Sequence, residues 1–408
     1  MSAIPVMTPW LGEQEAQAAA DAVRSGWVAQ GPRVAEFEGA FADRLGGGEA
    51  VAVSSCTTAL HLALVLLDIG PGDEVVVPSL SFIATANVVR YVGATVVFAD
   101  VEASTGNITP ATVAPVLTGR TRAVIAVHQG GVPADVDGVS QLCGPRGVAV
   151  IEDAACAIGS TMNGRSVGAG APLAAWSFHP RKLLTTGEGG MLTTTDPAWA
   201  ARARRLREHG MNVSAAERHR SRAPVLESYV ETGFNYRMTD IQAAVGLVQL
   251  AKLDAMVDRR RFLAERYQRL LAAIPGLVTV ADPPNGTTNY QSFWVVPPRS
   301  AVSRNELLAA LAERGISARR GIMASHLEPA YGGHRRDDLP VTEWLTEQSL
   351  ILPLFHTMTE QQHDRVVEAL LDITAGGGAG GAGAGAAGAG GAGADLADAA
   401  LGQGVRRP

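Results

Sequence analysis

The sequence predicts an α/β protein built on a mostly parallel sheet flanked by helices, and three observations carry that expectation. From about residue 50, short β-rich runs alternate with helix-compatible ones. The β-rich runs are apolar throughout rather than alternating, as strands covered on both faces are. Each is followed by a segment that can form a helical crossover, which parallel neighbours require.

In chain order, VAVSS (51–55) precedes the apolar run 57–67, and EVVVPS (74–79) precedes 81–91. TVVFAD (95–100) precedes 109–117, RAVIAVH (122–128) precedes 135–143, and GVAVIED (147–153) follows. LAAWSFH (173–179) and GGMLTTT (189–195) read as further strands. Thr239 to Ile274 is rich in Ala, Leu, Gln and Arg with apolar residues at helical spacing, so a long helix bridging two domains is expected. A strand at 292–297, a helix at 303–314, a strand at 316–319, and helices near 342–349 and 359–371 follow. The expected layout is a large domain over 1–250, a smaller C-terminal α+β domain over 251–373, and a tail over 374–408. Ala375 to Ala394 is nearly pure Gly and Ala, has nothing to bury, and reads as a flexible tail. Its run Gly383 to Gly388 matches G-x-G-x-x-G but follows no strand, so it signals no dinucleotide.

The chain has 408 residues, long enough for more than one core, with 47% apolar and 18% charged residues. Net charge is −6 and no Lys/Arg stripe could track a phosphate backbone, so nucleic acid is not an expected partner. Cys56, Cys143 and Cys156 form no CxxC pair, and an odd count argues against a disulfide framework. Reduced thiols in a cytoplasm fit. The N-terminus lacks a basic region followed by an apolar run, and the strongest apolar stretch, Leu60 to Leu67, is too short to span a bilayer. Neither a signal peptide nor a membrane is expected.

Ligands of open α/β sheets bind beyond the carboxyl ends of the strands. Three such ends carry suggestive residues. Ser54 to Leu60 runs from a strand into a helix, where free N–H groups take anions and where Ser or Thr equally serves as a cap. Asp153 ends a buried strand; its carboxylate could hold a protonated pyridine nitrogen, bind Mg²⁺ or cap a helix. Lys182 lies just past a strand and before the Gly-rich turn 183–190. Lys182 and Lys252 are the chain's two lysines; arginine is used elsewhere. A retained lysine points to chemistry that arginine cannot do, namely forming a Schiff base or shedding a proton near neutral pH. Lys252, inside the helical stretch, reads as part of a solvated face.

Several blocks in fixed order then resemble one family. They are GWVAQGPRVAEFE (26–38), SSCTTALHLAL (54–64), GPGDEVVVPSLSFIATANVV (70–89), IEDAACAIGS (151–160), SFHPRKLLTTGEGGM (177–191), GFNYRMTDIQAAVG (233–246) and SLILPLFHTMT (349–359). Over roughly residues 5–373 the chain resembles the DegT/DnrJ/EryC1/StrS family of pyridoxal-phosphate (PLP) sugar aminotransferases, of the aspartate-aminotransferase fold (fold type I). The resemblance makes Lys182 the Schiff-base lysine and Asp153 the partner of the pyridinium nitrogen. It makes Thr57, Thr58 and Ser177 phosphate ligands, and Phe82 the aromatic stacked on the cofactor ring. Asn235 would reach the phosphate of the neighbouring subunit, implying a homodimer with shared active sites. His326 would contact substrate, and no metal is implied. Two positions depart from the family pattern. Cys56 stands for the glycine of the phosphate turn, and Cys156 stands for a glutamine that reaches the cofactor 3′-oxygen.

The resemblance implies transfer of an amino group from glutamate or glutamine to a nucleotide-linked keto-deoxysugar, with pyridoxamine phosphate as the intermediate cofactor form. Burial and a nearby cationic imine are expected to lower the Lys182 pKa. Three alternatives weigh less. Dehydratases of the family replace the lysine with histidine, whereas here Lys182 is present with His179 three residues earlier. A non-catalytic PLP-binding regulator has little need of Lys182 and Asp153 together. A nicotinamide oxidoreductase lacks its glycine fingerprint.

Overall fold

The structure is a computed structural model that describes residues 3–213, 224, 226–298, 302–332 and 338–376. The Gly/Ala tract expected to be a tail begins at 375, and all of it beyond 376 lies outside the described residues. Two helices, α1 (Glu13–Ser25) and α2 (Pro32–Arg44), precede the first strand. The alternation then runs β1 (Glu49–Val53), α3 (Cys56–Leu66), β2 (Glu74–Pro78), α4 (Ala84–Tyr91), β3 (Thr95–Ala99) and a single turn, α5 (Pro110–Val113). It continues through β4 (Thr121–Val127), α6 (Val136–Cys143) and β5 (Ala149–Asp153). A short hairpin, β6 (Thr161–Met162) and β7 (Arg165–Ser166), leads into β8 (Ala174–Ser177), β9 (Gly190–Thr194) and α7 (Pro197–Leu206).

Seven of these strands form one sheet in the order β1-β9-β8-β5-β4-β2-β3. β2 pairs in parallel with β3 and β4, β4 with β5, and β5 with β8. β9 is antiparallel to both β8 and β1, so it alone runs against the other six. All five residues of β2 and of β9 are buried. The uniform hydrophobicity of the strands has a simple cause: alternate residues feed cores on opposite faces. Val75 and Val77 pack beneath α3 and α4, while Val76 joins the core on the other side.

The helix expected over 239–274 is two helices, α8 (Asp240–Ala251) and α9 (Leu253–Leu271). The break falls at Lys252, which caps both, and the domain boundary expected after residue 250 lies inside the last turn of α8. Lys252 consequently does not sit on a solvated face. The break turns it against α1, where Nζ lies 2.7 Å from Glu15 Oε1 and 5.5 Å over the Trp10 ring.

Beyond α9 lie the edge strands β10 (Val278–Thr279) and β11 (Gly286–Thr287), then β12 (Phe293–Val296), α10 (Arg304–Glu313), β13 (Arg319–Arg320), α11 (Pro340–Gln348), β14 (Leu350–Leu352) and α12 (Glu360–Gly376). A second, antiparallel sheet has the order β10-β12-β14-β13. The strand expected at 316–319 starts later, because Ile316 instead bridges Ile4. Phe293, Val295, Leu350 and Leu352 share a core with Leu263 and Tyr267 of α9 and with Val76 and Val124 of the large sheet. Arg260 of α9 anchors this junction. Its fully buried guanidinium donates to the carbonyls of Tyr290, Gln291 and Leu354, each at 2.8 Å. No helix among the described residues is long and apolar enough to cross a membrane.

Candidate active site

β1, β5 and β8 run in one direction, so the segments that follow them emerge on the same edge of the sheet. Cys56, Thr57, Asp153, Cys156, Ser177 and Lys182 there line one cavity of about 390 Å³. The segment after β2 adds Phe82 and Thr85, and the segment after β4 adds Gln129.

The start of α3 resolves the double reading of its Ser/Thr cluster. Ser55 Oγ accepts from the Thr58 N–H at 3.2 Å, and Thr58 Oγ1 accepts from the Ser55 N–H at 3.1 Å. Ser55 and Thr58 therefore form the cap, and the Thr58 side chain is turned away from the cavity that Thr57 lines. The helix terminus is held there by β9. A Cβ on Gly190 would stand 2.3 Å from the Ser55 carbonyl carbon and 2.5 Å from the Cys56 nitrogen, so only glycine lets strand and helix end approach.

Asp153 is 4% exposed. Its Oδ2 accepts from Thr85 Oγ1 at 2.9 Å and its Oδ1 from the Ala155 N–H at 3.2 Å. Burial pushes the carboxyl above its usual range; the two hydrogen bonds and the nearby Lys182 charge pull back. Cys56 Sγ lies 3.9 Å from Oδ1, and burial with the Asp153 charge raises this thiol well above the ordinary range, which keeps it neutral.

Lys182 Nζ donates to Cys156 Sγ at 3.0 Å. The expected lowering of its pKa rested on burial together with a nearby cationic imine; burial by itself does not lower it here. Burial does act downward, but the charge and hydrogen bond of Cys156, with the Asp153 charge behind it, outweigh burial and raise the ammonium above its ordinary value.

Phe82 is 65% exposed yet faces the cavity, an unusual position for a bare aromatic ring. Ser177 lines the wall, where its Oγ accepts from the His179 N–H at 3.5 Å. Asn235 is exposed and does not line its own chain's cavity. His326 is not brought to the site. It is 7% exposed, and its ring is held by Ser79 Oγ at 2.6 Å and by Glu343 at 3.1 Å, beneath the segment that carries Phe82. Sequence reading missed Thr85 and Gln129. A threonine one helical turn after Phe82 was the available signal for the first; nothing local marked the second.

A second cavity of about 470 Å³ meets the first at Phe82, Gln129, Cys156, Arg181 and Lys182. Its far walls are Val6 and Met7 from the N-terminal segment and Arg319, Arg320 and Ile351 from the C-terminal sheet. Burial and the Arg181 charge both press the Arg319 guanidinium down, so two cations face each other at this mouth.

A mostly parallel seven-stranded sheet with an antiparallel C-terminal sheet closing over its strand ends is the architecture of the fold type I PLP transferases. A buried carboxylate, a lysine amine, an open aromatic face and a capped helix terminus around one cavity fit that cofactor's ring nitrogen, aldehyde, ring and phosphate. The chain belongs to the DegT/DnrJ/EryC1/StrS aminotransferase family, whose sequence profile matches residues 9–371. It is accordingly a PLP-dependent sugar aminotransferase. The aminotransferase TlmJ from Streptoalloteichus hindustanus is 38% identical, over 91% of this chain and 99% of that one, with a TM-score of 0.85. DesV from S. venezuelae, solved with a ketimine intermediate, is 36% identical over 91% and 98%, with a TM-score of 0.84. Spr1654 from Streptococcus pneumoniae, described as a sugar aminotransferase and solved in its PLP form, is 27% identical over 92% and 99%, with a TM-score of 0.85.

Proposed function

We propose that the enzyme moves an amino group from glutamate or glutamine to a nucleotide-linked keto-deoxysugar, with Lys182 as the cofactor lysine and Asp153 as the partner of the cofactor's ring nitrogen. The observation that carries this reading is the meeting of two cavities at Lys182. One is floored by the buried carboxylate, and the other is walled by arginines.

PLP supplies the carbonyl that captures an amine and the ring that takes up an electron pair. The chain's own groups do the rest. Lys182 Nζ, once free, would take a proton from the donor's α-carbon and deliver one to the cofactor's aldehyde carbon. Asp153, kept acceptor-only by Thr85 and the Ala155 N–H, holds the proton of the ring nitrogen. Phe82 covers the ring face and keeps water off it. Thr57 and Ser177, with the α3 terminus, take the phosphate. Arg181 and Arg319 give anionic groups of donor and acceptor a place to bind in turn. Asn235, exposed outside its own cavity, serves the neighbouring subunit of a homodimer. The second cavity lies between a large domain (1–250) and a small one (251–373), where a substrate would enter.

The test is the absorbance of purified protein with PLP, for the native chain and Lys182→Ala, before and after glutamate or glutamine. A visible band in the native chain, moved to the near-ultraviolet by the donor and missing in Lys182→Ala, is the expected result. A native band that neither donor moves would overturn the transamination reading and favour dehydration. The absence of a native band would overturn the assignment of Lys182.

A further inference from the structure

The sharpest unexplained feature of the site is the sulfur beside the lysine. Cys156 follows β5 and Lys182 follows β8, so the tertiary fold and not chain proximity brings Nζ to 3.0 Å from Sγ. A side chain in the glutamine position would be neutral there. Sulfur is different: it accepts the ammonium N–H and can carry charge.

We propose that Cys156 is a positioning residue, which holds the free Lys182 amine in its charged form and turned into the cavity until cofactor or substrate takes its place. This role rests on Lys182 being the cofactor lysine. In that resting pair the amine cannot attack, because its lone pair is occupied by the proton. Release therefore demands that the proton leave Nζ. Cys156 thereby sets the pH at which Lys182 becomes a nucleophile.

The groups facing Nζ are few. Cys156 is in contact, Cys56 at the start of α3 and Asp153 at the end of β5 lie behind it, and His179 and Arg181 flank it on its own loop. Cys56 is held neutral by burial, and Asp153 is already engaged by Thr85 and Ala155. Cys156 is thus the group whose removal most changes the lysine, in agreement with its place as the leading upward influence on the Lys182 ammonium.

With two lysines in the chain, the experiment carries its own control. Cofactor-free protein is labelled with acetic anhydride across a pH series, and Lys182 and Lys252 are followed by peptide mass spectrometry. Native protein, Cys156→Ala and Cys156→Ser are compared. In both variants the Lys182 labelling midpoint is expected to fall, accelerating labelling below it by about tenfold per unit of fall. Lys252, paired with Glu15, should not change. As a second readout, the visible band of the PLP-loaded protein is titrated and should change form at lower pH in both variants. Equal Lys182 midpoints in all three proteins would overturn the proposal. A serine variant that keeps the native midpoint would overturn the role of charge and leave only a hydrogen bond. Because labelling needs no cofactor, its failure is distinct from a failure of Lys182 to bind PLP, which the Lys182→Ala spectrum reads separately.

Discussion

Asp153 and Lys182 show how one cavity moves two ionisable groups upward from their ordinary values for different reasons. Burial raises the Asp153 carboxyl while two hydrogen bonds and the Lys182 charge pull back; burial presses the Lys182 ammonium down, and its neighbours outweigh it. Asp153→Asn keeps the shape and Thr85 as a neighbour but loses the charge. Transamination should fall on the order of 10²–10³-fold, the range for losing one preorganised electrostatic contact. Steady-state turnover, beside an unchanged melting temperature, checks this. Asp153 and Lys182 were legible in the chain as candidate site residues, since one ends a buried strand and the other is a lysine where arginine is the rule. The contacts of Thr85 and Cys156 were not, because they depend on which side chains a parallel sheet brings to one edge. The resemblance made His326 a substrate contact; in the fold Ser79 and Glu343 hold its ring.

At the scale of elements, uniform apolar runs and helical spacing were enough to place the parallel strands and the crossovers between them. The hairpin β6–β7 and strand β14 escaped notice. A two- or three-residue strand has too few positions to show a period, and β14 is defined by its partners β12 and β13 on either side. The break at Lys252 was also invisible, as helical spacing continues through it. Gly190 is the element-scale feature most open to test. Gly190→Ala forces β9 and the α3 terminus apart, because backbone atoms on both sides cannot yield as a side chain can. A loss of about 2 kcal/mol is expected from such overpacking, together with weaker PLP binding. Chemical denaturation and a PLP titration measure the two; unchanged PLP affinity would show that the helix end does not hold the cofactor.

For the whole molecule, two buried histidines contribute to the pH dependence of stability. Burial and the Arg260 charge hold His356 down to about 3, and burial holds His363 down to about 4. Both stay neutral in the fold while the unfolded chain takes up a proton near 6.5, so stability falls as pH drops below that value. Each should cost about 2 kcal/mol at about pH 5 relative to about pH 8. Calorimetry across that range checks the sum, and His356→Gln should remove roughly half of the dependence. By itself the sequence determined the α/β class and, through its resemblance to one family, the family, the cofactor and two candidate central residues. These follow from local periodicity and from the order of motifs along the chain. Only the tertiary structure decided what touches Lys182, where His326 and Lys252 point, and that two cavities join at the lysine. Those facts depend on segments separated along the chain, by 26 residues for Cys156 and Lys182 and by 108 for Leu183 and Gln291, and no local pattern encodes how close they come.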